Sequence, residues 1–293
     1  MRVLVTGAGG LLGGRLTALL HEAGLEVTAV HRRSPPPPGP RSVQADLTED
    51  GAVERLLDAT RPEAVLHAAV LGRAEACERH PQEAERTNAE LPGRLGRLCR
   101  ERGIRLVALS TDLVFDGTKA PADETVPPAP LGVYGRTKRA GEEAVFAACP
   151  GAAVARVALV VGRGHGPRGT ASESIAWALQ AGRPVRLFTD EYRTPVDAAS
   201  VADGCRRLLV GRAAGLFHLG GPERLSRYEL GLRVTLAMGL PETVLTPARQ
   251  ADHAGPDPRP GDVSLDSGRA WRELGWRPRP LEAALRESRR APD

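Results

Sequence analysis

The chain has 293 residues, enough for one large or two ordinary domains around a buried core, and its 41% hydrophobic and 26% charged content excludes disorder as its class. A net charge of +4 comes without any run of like charges and with only 3% aromatics, so the basic stripe and stacking platforms of a nucleic-acid binder are missing. Cys77, Cys99, Cys149 and Cys205 are too far apart for a zinc spacing or a disulfide framework, which fits a reducing cytoplasm, and no apolar stretch suggests a signal peptide or a membrane span.

Arg2 to Thr6 is a short apolar, β-branched run. Gly7-Ala8-Gly9-Gly10-Leu11-Leu12-Gly13 follows, and then an apolar pattern at Leu16, Leu19 and Leu20 that Gly24 closes. This reads as strand, glycine turn and helix. Glycines at 7, 10 and 13 let the backbone approach a pyrophosphate, and the free N–H groups and dipole of the helix start favour the anion. Glu26 to Val30 is a second strand. His31-Arg32-Arg33 stands after it, where an acidic residue would hydrogen-bond the ribose of NAD, and the arginines suit the extra phosphate of NADP. The expected cofactor is therefore NADPH in preference to NADH. Pro35 to Pro38 forms a stiff surface loop.

Ser42 to Ala45 is a third strand ending at Asp46-Leu47-Thr48, where Asp46 either caps the next helix or hydrogen-bonds an adenine. After a helix holding Val53, Leu56 and Leu57 comes a strand, Ala64 to Ala69, whose small final residues let a cofactor lie close. His67 near its end is expected to be packed, because no second histidine stands at a ligand spacing. Pro81 to Arg102 reads as one long helix containing Asn88. Ile104 to Leu109 is a strand leading into Ser110-Thr111-Asp112.

Tyr134 and Lys138, four residues apart, open the next helix and share one of its faces. The pair is conspicuous because the chain has three tyrosines and only two lysines among 40 basic side chains. Val154 to Val161 is a further strand. Beyond Gly162 a cluster of glycines breaks the pattern, and the functional boundary is expected there: residues 1–162 a nucleotide-binding domain, 163–293 the substrate-binding region, with some elements returning to the first domain. The second part offers strands at Val185 to Phe188 and Leu216 to Leu219, helices near 172–181, 198–210 and 226–238, and a terminal helix from Leu281. The fold class is α/β, a Rossmann-type doubly wound parallel sheet with a smaller C-terminal α/β domain.

These residues form a constellation. A free phenol has a pKa of about 10, and a nearby ammonium lowers it. Tyr134 is then suited to give a proton to a carbonyl oxygen as hydride reaches its carbon, with Thr111 hydrogen-bonding that oxygen.

The glycine turn, Asp46-Leu47, His67-Ala68-Ala69, Ser110 to Gly117 and Tyr134-Gly135-Arg136-Thr137-Lys138, in this order, resemble the extended short-chain dehydrogenase/reductases, and within them the dTDP-4-dehydrorhamnose reductases. The likeness continues through Arg193-Thr194-Pro195-Val196-Asp197 and Arg259 to Asp266. It implies NAD(P)H-dependent reduction of a nucleotide-linked 4-keto-6-deoxy sugar by Thr111, Tyr134 and Lys138. Cofactor contacts are expected at Gly7, Gly10, Leu11, Leu12, Gly13, His31, Arg32, Arg33, Asp46, Leu47, Ala68, Ala69, Tyr134 and Lys138, and substrate contacts at Val70, Thr111, Asp112 and Arg193. The family commonly has tyrosine where Leu113 stands and tryptophan near Leu159, so the sugar pocket is expected to differ in shape and polar groups. The acidic residues of the family's metal-dependent dimers are not evident after Gly13, so no metal is expected; the partner is a nucleotide sugar, without nucleic acid or membrane, and the protein a monomer or homodimer. Ser110 to Glu142 is also similar to the regulatory β subunit of methionine adenosyltransferase, a non-catalytic NADP-binding relative. A sugar-nucleotide epimerase or dehydratase is the remaining alternative.

Overall fold

The computed structural model describes residues 1–167, 169–239, 245–252, 255 and 258–288. In chain order the first half contains β1 (Arg2–Thr6), α1 (Leu11–Glu22), β2 (Glu26–His31), β3 (Arg41–Gln44), α2 (Ala52–Thr60), β4 (Ala64–His67), α3 (Ala74–Arg79), α4 (Pro81–Glu85), a π-helical turn (Arg86–Glu90), α5 (Leu91–Glu101), β5 (Arg105–Thr111), α6 (Val133–Ala148) and β6 (Ala153–Val157). The second half adds β7 (Val160–Val161), α7 (Ala171–Gln180), β8 (Val185–Phe188), β9 (Tyr192–Arg193), β10 (Val196–Asp197), α8 (Ala198–Gly211), β11 (Gly215–Leu219), β12 (Leu225–Ser226), α9 (Arg227–Met238), β13 (Leu245–Ala248), α10 (Gly268–Leu274) and α11 (Leu281–Glu287).

Seven strands form one sheet in the order β11-β6-β5-β4-β1-β2-β3, and every pairing in it is parallel. Both faces are covered, so the strands carry apolar residues on each side. Val3 and Val5 of β1 join one core with Leu16 and Leu20 of α1, Val201 and Leu208 of α8, and Trp276. Leu4, pointing the other way, joins a second core with Leu56 and Leu57 of α2, Leu95 and Leu98 of α5, and Val145 of α6. This is the doubly wound arrangement expected from the sequence, with the strand order reversing between β1 and β4.

A third core gathers Ile175 and Leu179 of α7, Leu187 of β8, Leu230 and Val234 of α9, Leu245 of β13, and Leu281 and Leu285 of α11. The second half does not stay apart from the sheet, however. Strand β11 pairs with β6, and α8 packs in the first core.

Two expected elements differ in detail. The strand foreseen over 154–161 is broken after Val157, and the short β7 instead pairs with β10. The long helix over 81–102 is interrupted by the π turn at Arg86–Glu90, which holds Asn88. Asparagine hydrogen-bonds locally in competition with helix, and π turns concentrate at functional sites.

Candidate active site

The carboxyl ends of β1, β4, β5 and β6 lie along one edge of the sheet, the edge where doubly wound sheets bind ligands. At β1 the chain turns through Gly7, whose φ of +70° suits glycine, and a Cβ there would stand 2.6 Å from the Ala68 backbone after β4. Helix α1 then starts at Gly10 with no side-chain cap and no acidic residue in its first turn. Its unpartnered N–H groups and dipole offer an anion site at Leu11, Leu12 and Gly13, which fits the pyrophosphate of a dinucleotide. No metal site accompanies it among the described residues, where no group of three or more His, Cys, Asp or Glu side chains is placed to hold an ion.

Beyond β2 the two arginines have different surroundings. Arg32 pairs with Glu83 at 3.2 Å and lies 3.7 Å from Asp46. Arg33 is exposed and makes no ion pair among the described residues. Burial opposes ionisation of Asp46, but hydrogen bonds from Thr48 and the charges of Arg32 and Arg33 outweigh it and hold the carboxyl below its ordinary value. Asp46 thus closes a local turn with Thr48, and Leu47 is buried with its carbonyl taken by Arg94 at 2.9 Å.

Thr111 is the last residue of β5 and caps the 3-10 turn that follows: its Oγ1 accepts from the Leu113 N–H at 3.2 Å and donates to Asp112 Oδ1 at 3.1 Å. Tyr134 lies in the first turn of α6. That helix start is capped from α3, where Glu78 Oε1 accepts the Val133 N–H at 2.7 Å. Gly135 permits the close approach of α6 to the β5 loop, since a Cβ there would stand 2.2 Å from the Leu113 carbonyl oxygen. The phenol and the Thr111 hydroxyl thereby open into one cleft of about 360 Å³.

Burial pushes the Tyr134 phenol above its ordinary value, the Thr111 hydroxyl opposing this and Asp112 adding to it. This is the reverse of the lowering expected from Lys138, because desolvation dominates and Lys138 is directed elsewhere. Its Nζ donates to the Leu109 carbonyl at 2.7 Å, and burial pulls its pKa down to about 8, with Glu142 opposing.

Across the cleft stands a charge cluster that sequence reading found only in part. Glu191 is 2% exposed and faces three arginines: Arg193 at 3.3 Å, Arg227 at 3.8 Å and Arg259 at 2.7 Å. Strand pairing assembles it. Arg193 in β9 lies opposite Leu225 of β12, which leads into Arg227, while Tyr192 bridges to Asp262 beside Arg259. Arg193 also lies 3.6 Å from Asp112, whose Oδ2 is buried without a hydrogen-bond partner. Burial raises the Asp112 carboxyl, with Arg193 opposing.

Leu113 and Leu159 line the same cleft with Leu12, Thr111 and Tyr134. Ala68 and Ala69 stand beside the glycine turn, their N–H groups both donating to Thr6 Oγ1 at 3.2 Å. Val70 is 43% exposed and is not a wall of the cleft. His31 ends β2 with its Nδ1 buried and unpartnered. His67 is buried as expected, its Nδ1 2.8 Å from Thr6 Oγ1.

Asn88, which the sequence places in a helix without a role, also belongs to the site's framework. Its amide exchanges hydrogen bonds with both backbone groups of Leu71 and donates to Thr137 Oγ1 at 3.2 Å, tying the loop after β4 to α6. The signal was present, since it is the only asparagine of the chain and stands inside a helix. Glu191 left no such trace.

Known proteins share this architecture. A "probable low-salt glycan biosynthesis reductase" of Haloferax volcanii is 33% identical over 282 residues, 94% of this chain and 93% of that one. The β subunit of methionine adenosyltransferase 2 of Bos taurus is 30% identical over 274 residues, covering 92% and 81%. The crystal structure of a dTDP-4-dehydrorhamnose reductase from Clostridium acetobutylicum superposes with a TM-score of 0.85 at 25% identity, covering 98% of each chain. That of MoeE5 in complex with UDP-glucose and NAD superposes at 0.83 with 26% identity, covering 98% and 97%. With residues 1–291 matching the RmlD substrate binding domain, and with reductases among its relatives along nearly its whole length, the chain belongs to the RmlD substrate-binding family.

Proposed function

We propose that the protein is an NAD(P)H-dependent reductase of a nucleotide-linked 4-keto-6-deoxy sugar. The observation that carries this is the convergence of Thr111 and Tyr134 on a cleft whose far wall holds Arg193, Arg227 and Arg259. When bound, the nicotinamide supplies the hydride. Gly10 to Gly13 hold its pyrophosphate and Arg33 the additional phosphate. Tyr134, kept protonated at neutral pH by its burial, gives its proton to the sugar's carbonyl oxygen while the Thr111 hydroxyl hydrogen-bonds that oxygen. The Lys138 ammonium, buried one turn along α6, adds its positive charge to the site with its hydrogen bond going to the Leu109 carbonyl and not to the phenol.

Arg193, Arg227 and Arg259 receive the diphosphate of the nucleotide, and Leu113 with Leu159 gives the sugar an aliphatic wall. Arg227, though burial lowers it to about 10, remains a cation at neutral pH. Residues 1–162 on this reading hold the cofactor, while 163–293 supply the arginine wall and lend α8 and β11 to the sheet. Four buried, free cysteines agree with work in a reducing cytoplasm.

Oxidation of NADPH, followed by absorbance with a panel of nucleotide 4-keto-6-deoxy sugars, tests the proposal. Tyr134→Phe is expected to abolish turnover and leave NADPH binding intact, and unchanged turnover removes Tyr134 as the proton donor. The similarity to the methionine adenosyltransferase β subunit supports a second reading, a cofactor-binding regulatory subunit. Tight NADPH binding with no oxidation by any sugar of the panel selects it.

A further inference from the structure

The loop after β2 is held from a distant part of the chain. His165, 130 residues beyond Pro35, brings its Nε2 to 3.1 Å from the Pro35 carbonyl oxygen. A carbonyl only accepts, so this ring nitrogen carries the proton. The His165 backbone N–H donates to the Leu11 carbonyl at 3.0 Å, in the first turn of α1. The ring lies on Gly14, where a Cβ would stand 2.3 Å from it, so α1 lacks a side chain where the histidine lies. One residue earlier in the loop, the Ser34 carbonyl oxygen lies on the glycine turn, 1.9 Å from where a Gly9 Cβ would be. The segment carrying Arg33 is therefore held at the Pro35 carbonyl by the His165 imidazole, while its Ser34 carbonyl fits against the glycine turn only because Gly9 has no side chain.

We propose that His165 is a positioning residue that holds Arg33 in place for the 2′-phosphate of NADPH, and so a determinant of cofactor choice supplied by the half of the chain assigned to the substrate. This rests on the NADPH reading above. Of the two arginines, Arg32 is engaged by Glu83 and Asp46, whereas Arg33 makes no ion pair among the described residues. A free cation on a loose loop must be ordered when it meets a phosphate, which weakens binding. The imidazole removes that cost before the ligand arrives, and a ligand lacking the 2′-phosphate does not benefit.

Calorimetric titration of the full chain with adenosine 2′,5′-bisphosphate and with adenosine 5′-monophosphate tests this without turnover. His165→Phe keeps a ring against Gly14 and removes the donor. It is expected to weaken the bisphosphate about three- to tenfold, the scale of one hydrogen bond, and to leave the monophosphate unchanged. His165→Gln, which restores an N–H donor, should recover most of the loss. In an Arg33→Ala background the His165→Phe effect should vanish, because the two act through one loop. Equal weakening of both nucleotides, or an effect that persists without Arg33, overturns the proposal. If Arg33→Ala alone leaves the preference for the bisphosphate unaltered, the phosphate reading itself fails, a result distinct from failure of His165.

Discussion

Replacing Glu142 by glutamine tests how the catalytic helix is anchored. Glu142 stands one turn beyond Lys138 on α6, and its two carboxylate oxygens accept from Arg156 of β6 at 2.9 and 2.6 Å. Their side chains are 6% and 3% exposed, and the guanidinium also lies 4.9 Å from the centre of the Phe115 ring. Removing one partner of a buried pair leaves the other charge uncompensated, at about 3–5 kcal/mol. Glutamine keeps one acceptor, so the lower end applies, a fall in Tm of about 6–12 °C at about 2–4 °C per kcal/mol. The control is its neighbour. Glu143 pairs with Arg139 at 2.8 Å with side chains 64% and 43% exposed, and Glu143→Gln should cost less than about 0.5 kcal/mol. Thermal and urea unfolding of both variants check the ordering, and similar shifts for the two would refute the argument. The same substitution reaches the site, because the Glu142 charge holds Lys138 up against burial. With the ammonium required, reduction in the native protein should fall as pH rises through about 8, and in Glu142→Gln that limb should move to lower pH.

Other outcomes follow from the same structure. Burial holds His67 at about 3, with Lys138 adding to it, and His218 at about 4, with Arg156 adding, so both are neutral in the folded chain. The unfolded chain takes up more protons below about pH 6.5, so stability present above that pH is lost as it falls, by about 2 kcal/mol per histidine between pH 7 and 5. Urea midpoints at the two pH values measure this, and a His218→Gln variant that loses as much as the native chain would contradict it. Arg33→Ala should weaken NADPH by about 1–2 kcal/mol and leave NADH unchanged, whereas Arg32→Ala should act less selectively, because it also frees Asp46 and Glu83. Fluorescence titration with the two nucleotides distinguishes them. Arg227→Ala should raise the KM of the nucleotide sugar about tenfold or more without altering NADPH binding, and steady-state kinetics with a separate cofactor titration provide the check.

The features legible in the sequence were those set by neighbours in the chain. A strand, a glycine turn and an uncapped helix start are written within Arg2 to Glu22, and the Tyr134–Lys138 spacing on α6 needs only the pitch of a helix. The alternation of strands and helices likewise predicted a parallel sheet with the site at its carboxyl edge. Tertiary structure decided what depends on burial and on distant partners. Glu191 with Arg193, Arg227 and Arg259 comes from three separate segments brought together by β9, β12 and the Tyr192–Asp262 bridge, and no local pattern announces it. The return of β11 to the sheet depends on pairing with β6, which 57 intervening residues separate from it in the chain. Spacing placed Tyr134 beside Lys138, yet the direction in which the phenol titrates is set by how much water the surrounding chain removes. That quantity belongs to the packed molecule, and here it outweighs the one opposing influence, the hydrogen bond with Thr111.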